Sequence, residues 1–319
     1  MTISPEDNTA MGTNDEETSA VKQASAPFVG GDIPAELYGQ IGEILQQKQN
    51  FTLSGYKDLC MKRRIAARIR SVGLPGPEPY LALLRENSCE QEQLVASLSI
   101  HVSQFFRNPS TFAVLEKMIL PELLQRTRDH HSKLRVWSIG CANGEEPYSL
   151  ALLCRKLMRA DDLLTIIGTD VSRAALQRAK RGCYPQNRIA GVPEEMLQEY
   201  FTPEGAEYLL SEQIRHQVRF FRHDILSDQP FYRADLILCR NVLIYFSRAQ
   251  QRKILQILAA ALPYNGYLVL GRAETLVTAC RELFRCVDPA ERIYQRLKTD
   301  EKPLPLPLPC LQPLRKASR

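Results

Sequence analysis

The chain has 319 residues, of which 44% are hydrophobic, enough for the cores of two modest domains. No apolar run is long enough to cross a bilayer, no signal peptide opens the chain, and the nine cysteines are scattered without a CxxC pair. A membrane span, a disulfide framework and a zinc site are therefore disfavoured, and a cytoplasmic location is expected. The first 20 residues carry a charge of −5 and the remainder +10, which favours acidic partners of some kind.

Both ends of the chain are predicted to lie outside the folded core. Residues 1–31 are polar and acidic, which is typical of a disordered tail. Residues 300–319 alternate proline with leucine, which predicts an extended spacer or docking strip, or else a plain unstructured tail.

Residues 32–102 are predicted to form a small all-helical domain. Apolar residues recur at helical spacing in 33–49, 80–84 and 94–100, and glycine and proline interrupt the pattern at 73–79.

A basic helix is predicted within this domain at 56–70. Its apolar arc consists of Met61, Ile65, Ala66 and Ile69. At about 100° per residue, Lys57, Arg64 and Arg68 fall within about 40° of one another on the outer face. Such a stripe is either an ordinary solvated face or a docking surface for an acidic partner. Nucleic acid is the weaker candidate because no aromatic residues alternate with the charges.

From residue 133 onwards, short apolar segments alternate with helical ones. The predicted strands are 134–140, 163–170, 218–221, 234–239, 266–271 and 291–297, and the predicted helices are 147–159, 172–181 and 248–262. This alternation predicts a mostly parallel α/β sheet with helices on both faces. The rhythm is interrupted at about 183–217, where a small inserted subdomain is expected.

A turn of small residues, Gly140 to Gly144, follows the first predicted strand and precedes Glu145 and Glu146. Small residues here, Ala142 among them, let the backbone approach a ligand at the sheet edge. The GxxxG spacing differs from the dinucleotide pattern, and two acids would repel a phosphate. They suit a cationic amino group, as in S-adenosylmethionine. Asp170, at the end of the second strand, can accept hydrogen bonds from ribose hydroxyls.

Three segments are similar, in order, to those of one protein family. They are SQFFR at 103–107, WSIGCANGEEPYS at 137–149 and CRNVLIYF at 239–246. They closely resemble the CheR family, the chemoreceptor glutamate methyltransferases. The resemblance covers roughly residues 35–297. It implies a class I S-adenosylmethionine-dependent methyltransferase sheet at 103–299, with a small β insert, preceded by the helical domain.

The resemblance also implies which residues form the site. Contacts with S-adenosylmethionine are expected from Ser103, Arg107, Ala142, Glu145, Asp170, Asp224, Ile225, Arg240 and Asn241. Arg107 would in addition hold the substrate carboxylate through paired hydrogen bonds. Tyr245, at the end of a strand-like run over 236–246, would line the transfer channel. Lys57, Arg64 and Arg68 would dock the receptor.

Three positions depart from the family pattern. Ser103 stands where threonine is usual and keeps the hydroxyl, whereas His101 replaces a frequent asparagine and puts a contact there in doubt. Asp224 replaces the usual asparagine, and its carboxylate can still accept from the adenine amino group.

The predicted reaction is methyl transfer from S-adenosylmethionine to glutamate carboxylates of bacterial chemoreceptors, with S-adenosylhomocysteine as product. A glutamate with a pKa near 4.3 is already ionised at neutral pH, so no general base is needed. The expected partner is an acidic helical segment of a receptor's cytoplasmic domain, and the enzyme is expected to be a monomer. The alternatives are the same chemistry on another sensory-pathway protein, or a regulatory scaffold that binds S-adenosylmethionine without turnover.

Overall fold

The computed structural model describes residues 33–98, 103–230 and 233–298. The predicted tails at 1–31 and 300–319, and His101, lie outside these ranges. Within them, no helix has the length and apolar character needed to cross a membrane.

Four helices form the first unit: α1 Ala35–Gln49, α2 Asp58–Ser71, α3 Pro77–Glu86 and α4 Ser88–Leu98. The predicted apolar arc of α2 is confirmed, because all four of its residues are buried against the neighbouring helices. Helix α3 begins at Pro77, whose fixed φ suits a first helical turn, so the predicted interruption at 73–79 ends three residues earlier than expected, at residue 76.

The predicted outer face of α2 is wrong for two of its three cations. Lys57 is exposed just before the helix. Arg64, by contrast, donates to the carbonyl oxygen of Leu98 at 2.9 Å. Arg68 makes two hydrogen bonds, of 2.8 and 2.6 Å, to the buried carboxylate of Glu90. Both arginines lie on the flank that α4 covers, and their long side chains reach across to it.

A long helical segment leads into the sheet: α5 Pro109–Val114, a π-helical turn Leu115–Ile119 and α6 Leu120–Asp129. The main elements then follow as β1 Leu134–Ile139, α7 Glu145–Leu157, β2 Leu164–Asp170, α8 Arg173–Arg181, β6 Val218–Arg222, β7 Leu236–Cys239, α12 Arg248–Ala261, β8 Tyr267–Leu270, β9 Phe284–Asp288 and β10 Ile293–Arg296. Between α8 and β6 lie β3 Cys183–Pro185, α9 Gln186–Ile189, α10 Glu194–Tyr200, β4 Phe201–Glu204, β5 Glu207–Leu210 and α11 Glu212–Arg215.

The main sheet has seven strands in the order β6-β2-β1-β7-β8-β10-β9, and only β10 runs against the others. The segment between α8 and β6 forms a separate three-stranded sheet, β3-β5-β4. Together with the preceding helices, this confirms the predicted fold class. Strands β7 and β8 are buried at every position, as expected for strands covered by helices on both faces.

Side chains of β1 alternate between two cores, one on each face of the sheet. Val136 packs with α7 on one face and Trp137 packs with α12 on the other. Two details differ from the predictions. The strand-like run 236–246 ends at Cys239, because Asn241 has a φ of 60° and Leu243–Tyr245 forms a 3-10 turn. Strand β9 was not predicted, since this edge strand alternates too weakly between polar and apolar residues.

The helical unit packs on the sheet near the ends of β6 and β7. Backbone hydrogen bonds join Lys57 N–H to the Tyr245 carbonyl at 2.8 Å and Ser247 N–H to the Gly55 carbonyl at 2.9 Å. The rings of Tyr56 and Phe246 lie beside this pair, with centroids 4.4 Å apart. These contacts fix the helices next to the edge of the sheet where the predicted site residues gather.

Candidate active site

The strand order reverses at β1, which has β2 on one side and β7 on the other. Open α/β sheets bind ligands in the crevice beyond the carboxyl ends of the strands at this point. The turn from Gly140, the carboxylate of Asp170 and the Arg240–Asn241 pair all lie at this edge. Two adjoining cavities open there, and Gly140, Asn241 and Tyr245 line both. We call them together the cleft.

The first cavity holds about 610 Å³ of space not filled by protein atoms. Its lining includes six predicted site residues: Ser103, Arg107, Ala142, Arg240, Asn241 and Tyr245. The second cavity holds about 630 Å³, and Asp170, Asp224 and Ile225 line it. The helical unit supplies Phe51, Tyr56 and Leu98 to its wall. The structure therefore brings all of these residues into one cleft, while Arg64 and Arg68 line neither cavity.

The turn after β1 has a backbone that few other residues could adopt. Gly140 has a φ of 65°, and a Cβ there would come within 2.6 Å of the Val242 side chain. Ala142 also has a positive φ, and its N–H donates to Asp170 at 3.0 Å. The other carboxyl oxygen of Asp170 accepts from Ser172 N–H at 2.9 Å. Asp170 therefore fixes the turn and still lines the second cavity.

The two acids after the turn have different environments. Glu146 lines the first cavity, where it accepts from Ser138 Oγ at 2.8 Å and from Arg240 at 3.0 Å. Glu145 is fully buried. Ser103, Asn143 and its own backbone N–H lie close enough to lower its pKa, although none of them makes a hydrogen bond of normal geometry to its carboxyl oxygens. Its nearest cation is Arg188, with a nitrogen 3.8 Å from Oε1. Burial raises the pKa of Glu145 above its usual value.

A buried carboxylate without hydrogen bonds is costly unless a bound group satisfies it. The primary ammonium of S-adenosylmethionine carries three donors and a positive charge, so it matches the requirement of Glu145. The residues of the cleft therefore fit this cofactor.

The loop that carries Arg107 is held in an unusual conformation. Phe106 and Asn108, on either side of it, have φ values of 51° and 61°. Phe106 N–H donates to Ser149 Oγ at 2.9 Å, and the Arg107 carbonyl accepts from Arg240 at 2.8 Å. Residues other than glycine adopt such φ values only where the surroundings enforce them, and they cluster at functional sites.

Most hydrogen bonds of Arg240 go to this loop and not into the cleft. Its guanidinium binds Glu146, the Arg107 carbonyl and the side chain of Asn108, and its own side chain is almost fully buried. Although Arg240 lines the first cavity, its two terminal nitrogens already donate to three protein acceptors, and only its Nε has no acceptor among the described residues. Its predicted contact with the cofactor stays a prediction.

The insert between α8 and β6 also supports this loop. Phe105 N–H donates to the carbonyl oxygen of Arg188 at 3.0 Å, and the Arg188 side chain donates to the Ser103 carbonyl. Gly191 lies so close that a Cβ there would be 2.5 Å from the Phe105 carbonyl oxygen. The loop is thus fixed from three sides, by α7, by Arg240 and by the insert.

Tyr245 lies where the two cavities meet. The guanidinium of Arg64 lies over its ring, 5.7 Å from the centroid. Burial raises the pKa of Tyr245, so its hydroxyl is protonated at neutral pH and can donate a hydrogen bond.

Asp224 is fully buried at the boundary between the two units. Its oxygens accept from Thr52 N–H at 3.2 Å and from Leu226 N–H at 2.9 Å. These bonds leave one lone pair on each oxygen, so the predicted contact with an adenine amino group stays open.

Sequence reasoning missed one residue of this region, Glu274. Its buried carboxylate accepts backbone N–H groups of Gly271 at 2.6 Å, Asn241 at 2.8 Å and Ile244 at 3.2 Å. It therefore shapes the segment that carries Asn241 and Tyr245. The available signal was an acid a few residues beyond the carboxyl end of β8, at the same sheet edge.

Comparison with known protein families identifies the fold and the cofactor. Residues 101–293 match the family described as CheR methyltransferase, SAM binding domain, and residues 36–99 match CheR methyltransferase, all-alpha domain. The chain belongs to the CheR methyltransferase family. It is therefore an S-adenosylmethionine-dependent methyltransferase.

Individual relatives differ in how much of them the chain covers. A protein of Rhodobacter capsulatus called "Uncharacterized 104.1 kDa protein in hypE 3'region" is 37% identical over 85% of this chain, which spans only 29% of that protein. The "Chemotaxis protein methyltransferase" of Listeria innocua is 34% identical over 73% of this chain and 88% of its own length. Among solved structures, magnesium protoporphyrin IX methyltransferase from Synechocystis is 16% identical, covering 59% of this chain and 81% of that chain with a TM-score of 0.32.

Proposed function

We propose that the protein transfers a methyl group from S-adenosylmethionine to glutamate side chains of bacterial chemoreceptors, forming methyl esters in chemotactic adaptation. It acts as a monomer on acidic helical segments of the receptors' cytoplasmic domains. The observation that carries the proposal is one cleft that joins Asp170 and Asn241 to a rigidly held Arg107. Relatives named chemotaxis protein methyltransferase in Listeria and Salmonella support the same role.

We assign the amino-acid end of the cofactor to the first cavity and its adenine to the second, from the residues that line them. Ser103 binds the amino-acid end at the first cavity, where Ala142 and Asn241 also lie. Glu145 lines neither cavity, and it reaches the amino-acid end from its buried position beside Ser103. Asp170 accepts from the ribose hydroxyls. Asp224 and Ile225 bind the adenine in the more apolar second cavity.

The chemistry requires alignment more than proton transfer. Bound S-adenosylmethionine supplies a methyl group on a sulfonium, and its transfer to a carboxylate forms a C–O bond, breaks the C–S bond and leaves two neutral products. Arg107 holds one face of the substrate carboxylate and leaves an oxygen lone pair for the attack. Orientation of this kind can lower a barrier by roughly 7–11 kcal/mol in favourable cases. The Tyr245 hydroxyl donates to the same carboxylate and limits its rotation.

Receptor docking is assigned to Lys57 among the three predicted cations, because its side chain is exposed beside the cleft. Arg64 and Arg68 act within the protein, through the end of α4 and through Glu90. A basic side chain near the cleft attracts an acidic segment and orients it before the reaction.

The test is methyl transfer from radiolabelled S-adenosylmethionine to chemoreceptor-containing membranes, followed by mild alkali. Transferred label that alkali releases as methanol would establish a carboxyl methyl ester and support the proposal. Label that stays bound through alkali would mean nitrogen or sulfur methylation and contradict it. Cofactor binding without any transfer to receptors would also contradict it, and would favour another target or a regulatory scaffold. The matched control is the Arg107→Ala protein, which should bind cofactor and transfer label about 10²–10³-fold more slowly.

A further inference from the structure

A third cavity lies beside the cleft, between the starts of α2 and α12. It holds about 520 Å³, and its lining residues are Lys57, Leu243, Ile244, Phe246, Arg248, Gln251, Ala273, Glu274 and Thr275. Ile244 lines both this cavity and the first cavity of the cleft. A ligand in the cleft and a group in the third cavity would therefore be neighbours, separated by one side chain.

Two cations, Lys57 and Arg248, make this cavity positively charged, and both side chains are exposed. In the described ranges, no carboxylate forms an ion pair with either of them. Arg248 donates at 3.3 Å to the neutral amide of Gln251. The only acid in the lining is Glu274, whose oxygens already bind backbone N–H groups of the loop beneath. Within the described part of the chain, both cations therefore lack an anionic partner.

The backbone that carries these cations is fixed relative to the cleft. Lys57 N–H binds the Tyr245 carbonyl at 2.8 Å, and Ser247, next to Arg248, binds the Gly55 carbonyl at 2.9 Å. Gln251 Nε2 donates to the Leu243 carbonyl at 2.8 Å. Their backbone therefore needs little reordering when a ligand binds, whereas their exposed side chains lose freedom on binding.

We propose that the third cavity is a second carboxylate subsite, which binds an acidic side chain one helical turn away from the glutamate that is methylated. This inference rests on the proposed function and adds a rule of substrate choice. On a helix, side chains four residues apart have Cβ atoms about 5–6 Å apart, which suits two cavities separated by Ile244. If that position of the substrate helix held a neutral residue, Lys57 and Arg248 would have no carboxylate to bind.

The experiment uses the full chain and two alanine-rich helical peptides of 20 residues. One carries a central glutamate and a second glutamate four residues further on, and the other has glutamine at the second position. Binding is measured by fluorescence anisotropy with S-adenosylhomocysteine present, and methylation is measured separately. We expect the two-acid peptide to bind about fivefold more tightly at low salt, as for a charge pair at an exposed site.

The Lys57→Met, Arg248→Met double variant should bind the two peptides with equal affinity, whatever the loss of general attraction for an acidic segment does to both. The matched control is Lys133→Met with Arg159→Met, which removes the same charge from exposed positions at the opposite edge of the sheet. Equal binding of both peptides by the unmodified protein, or a preference that survives in the double variant, would overturn the subsite. Preferential binding without methyl ester formation would leave the subsite standing and count against the proposed function.

Discussion

The cleft and the basic helix α2 were both predicted from side-chain patterns, yet only one of the two patterns matched the structure. In the cleft, residues far apart in the chain meet because each follows a parallel strand, and such strands end at the same edge. On α2, the outer face was inferred from angular spacing alone. Arg64 and Arg68 turned out to be bound to α4. Topology constrains position, whereas periodicity constrains only the apolar side of a helix.

The largest expected effect is the loss of catalytic rate when Arg107 of the cleft is replaced. Arg107→Ala should lower kcat by about 10²–10³-fold, because it removes a preorganised donor for the reacting carboxylate. The fold should survive, since the neighbouring loop contacts use the Arg107 backbone carbonyl. Methyl transfer and calorimetric cofactor binding should be measured together with Arg107→Lys, which keeps the charge and loses the paired donors. Turnover close to that of the unmodified protein would remove Arg107 from the site.

On α2, the strongest effect should be on stability. Arg68→Met leaves the buried Glu90 without its paired donor, which should lower the free energy of unfolding by about 2–4 kcal/mol. Lys57→Met, at an exposed position, should change it little. Urea unfolding measures both. If Arg68→Met kept its stability and lost receptor binding, Arg68 would belong to a docking face of α2, as the sequence predicted.

The same pair predicts sensitivity to acid. Burial alone would raise the pKa of Glu90, but the hydrogen bonds from Arg68 and Tyr80 together lower it below its usual 4.5. This contribution to stability is therefore present above pH 4.5 and is lost as pH falls below that value. Arg68→Met should remove this part of the pH dependence.

In the cleft, Glu145 should give cofactor binding an unusual pH dependence. Since burial raises its pKa, the carboxyl group becomes protonated at a higher pH than an exposed glutamate. Below that pKa, affinity for S-adenosylmethionine should fall by up to about tenfold per pH unit, because the neutral acid no longer pairs with the ammonium. Calorimetry from pH 8 to pH 5 tests this. Glu145→Gln should bind about 10–100-fold more weakly, with a flatter profile. A mutant profile as steep as the original would assign the titration to another group.

The smallest of these effects should come from Glu274. Glu274→Gln replaces one acceptor by an amide that faces backbone donors, at a cost of about 1–3 kcal/mol. Because the affected loop carries Asn241 and Tyr245, we expect KM for S-adenosylmethionine to rise about tenfold while the melting temperature drops only slightly. Glu282→Gln, at an exposed position, is the control. Loss of stability with an unchanged KM would mean that Glu274 supports the fold alone.

The sequence predicted the fold where one pattern dominated. The apolar arc of α2 and the strands around Gly140 and Asp170 follow from periodicity and turn chemistry. Prediction from the sequence failed where contacts between distant residues determine the local conformation. Tyr245 lies in a 3-10 turn whose preceding backbone is bound by Glu274, which follows Asn241 by 33 positions and Ile244 by 30. No local pattern could show that connection.

Phe51 and Tyr56 of the helical unit form part of the second cavity, which otherwise belongs to the sheet. In the proposed assignment, the cofactor site is thus divided between the two parts of the chain. Exchange of the helical unit for another recognition domain would also remove a wall of the cofactor site. We therefore expect substrate choice to change through single substitutions at exposed positions of the helices. Exchange of the whole helical unit is disfavoured in this architecture.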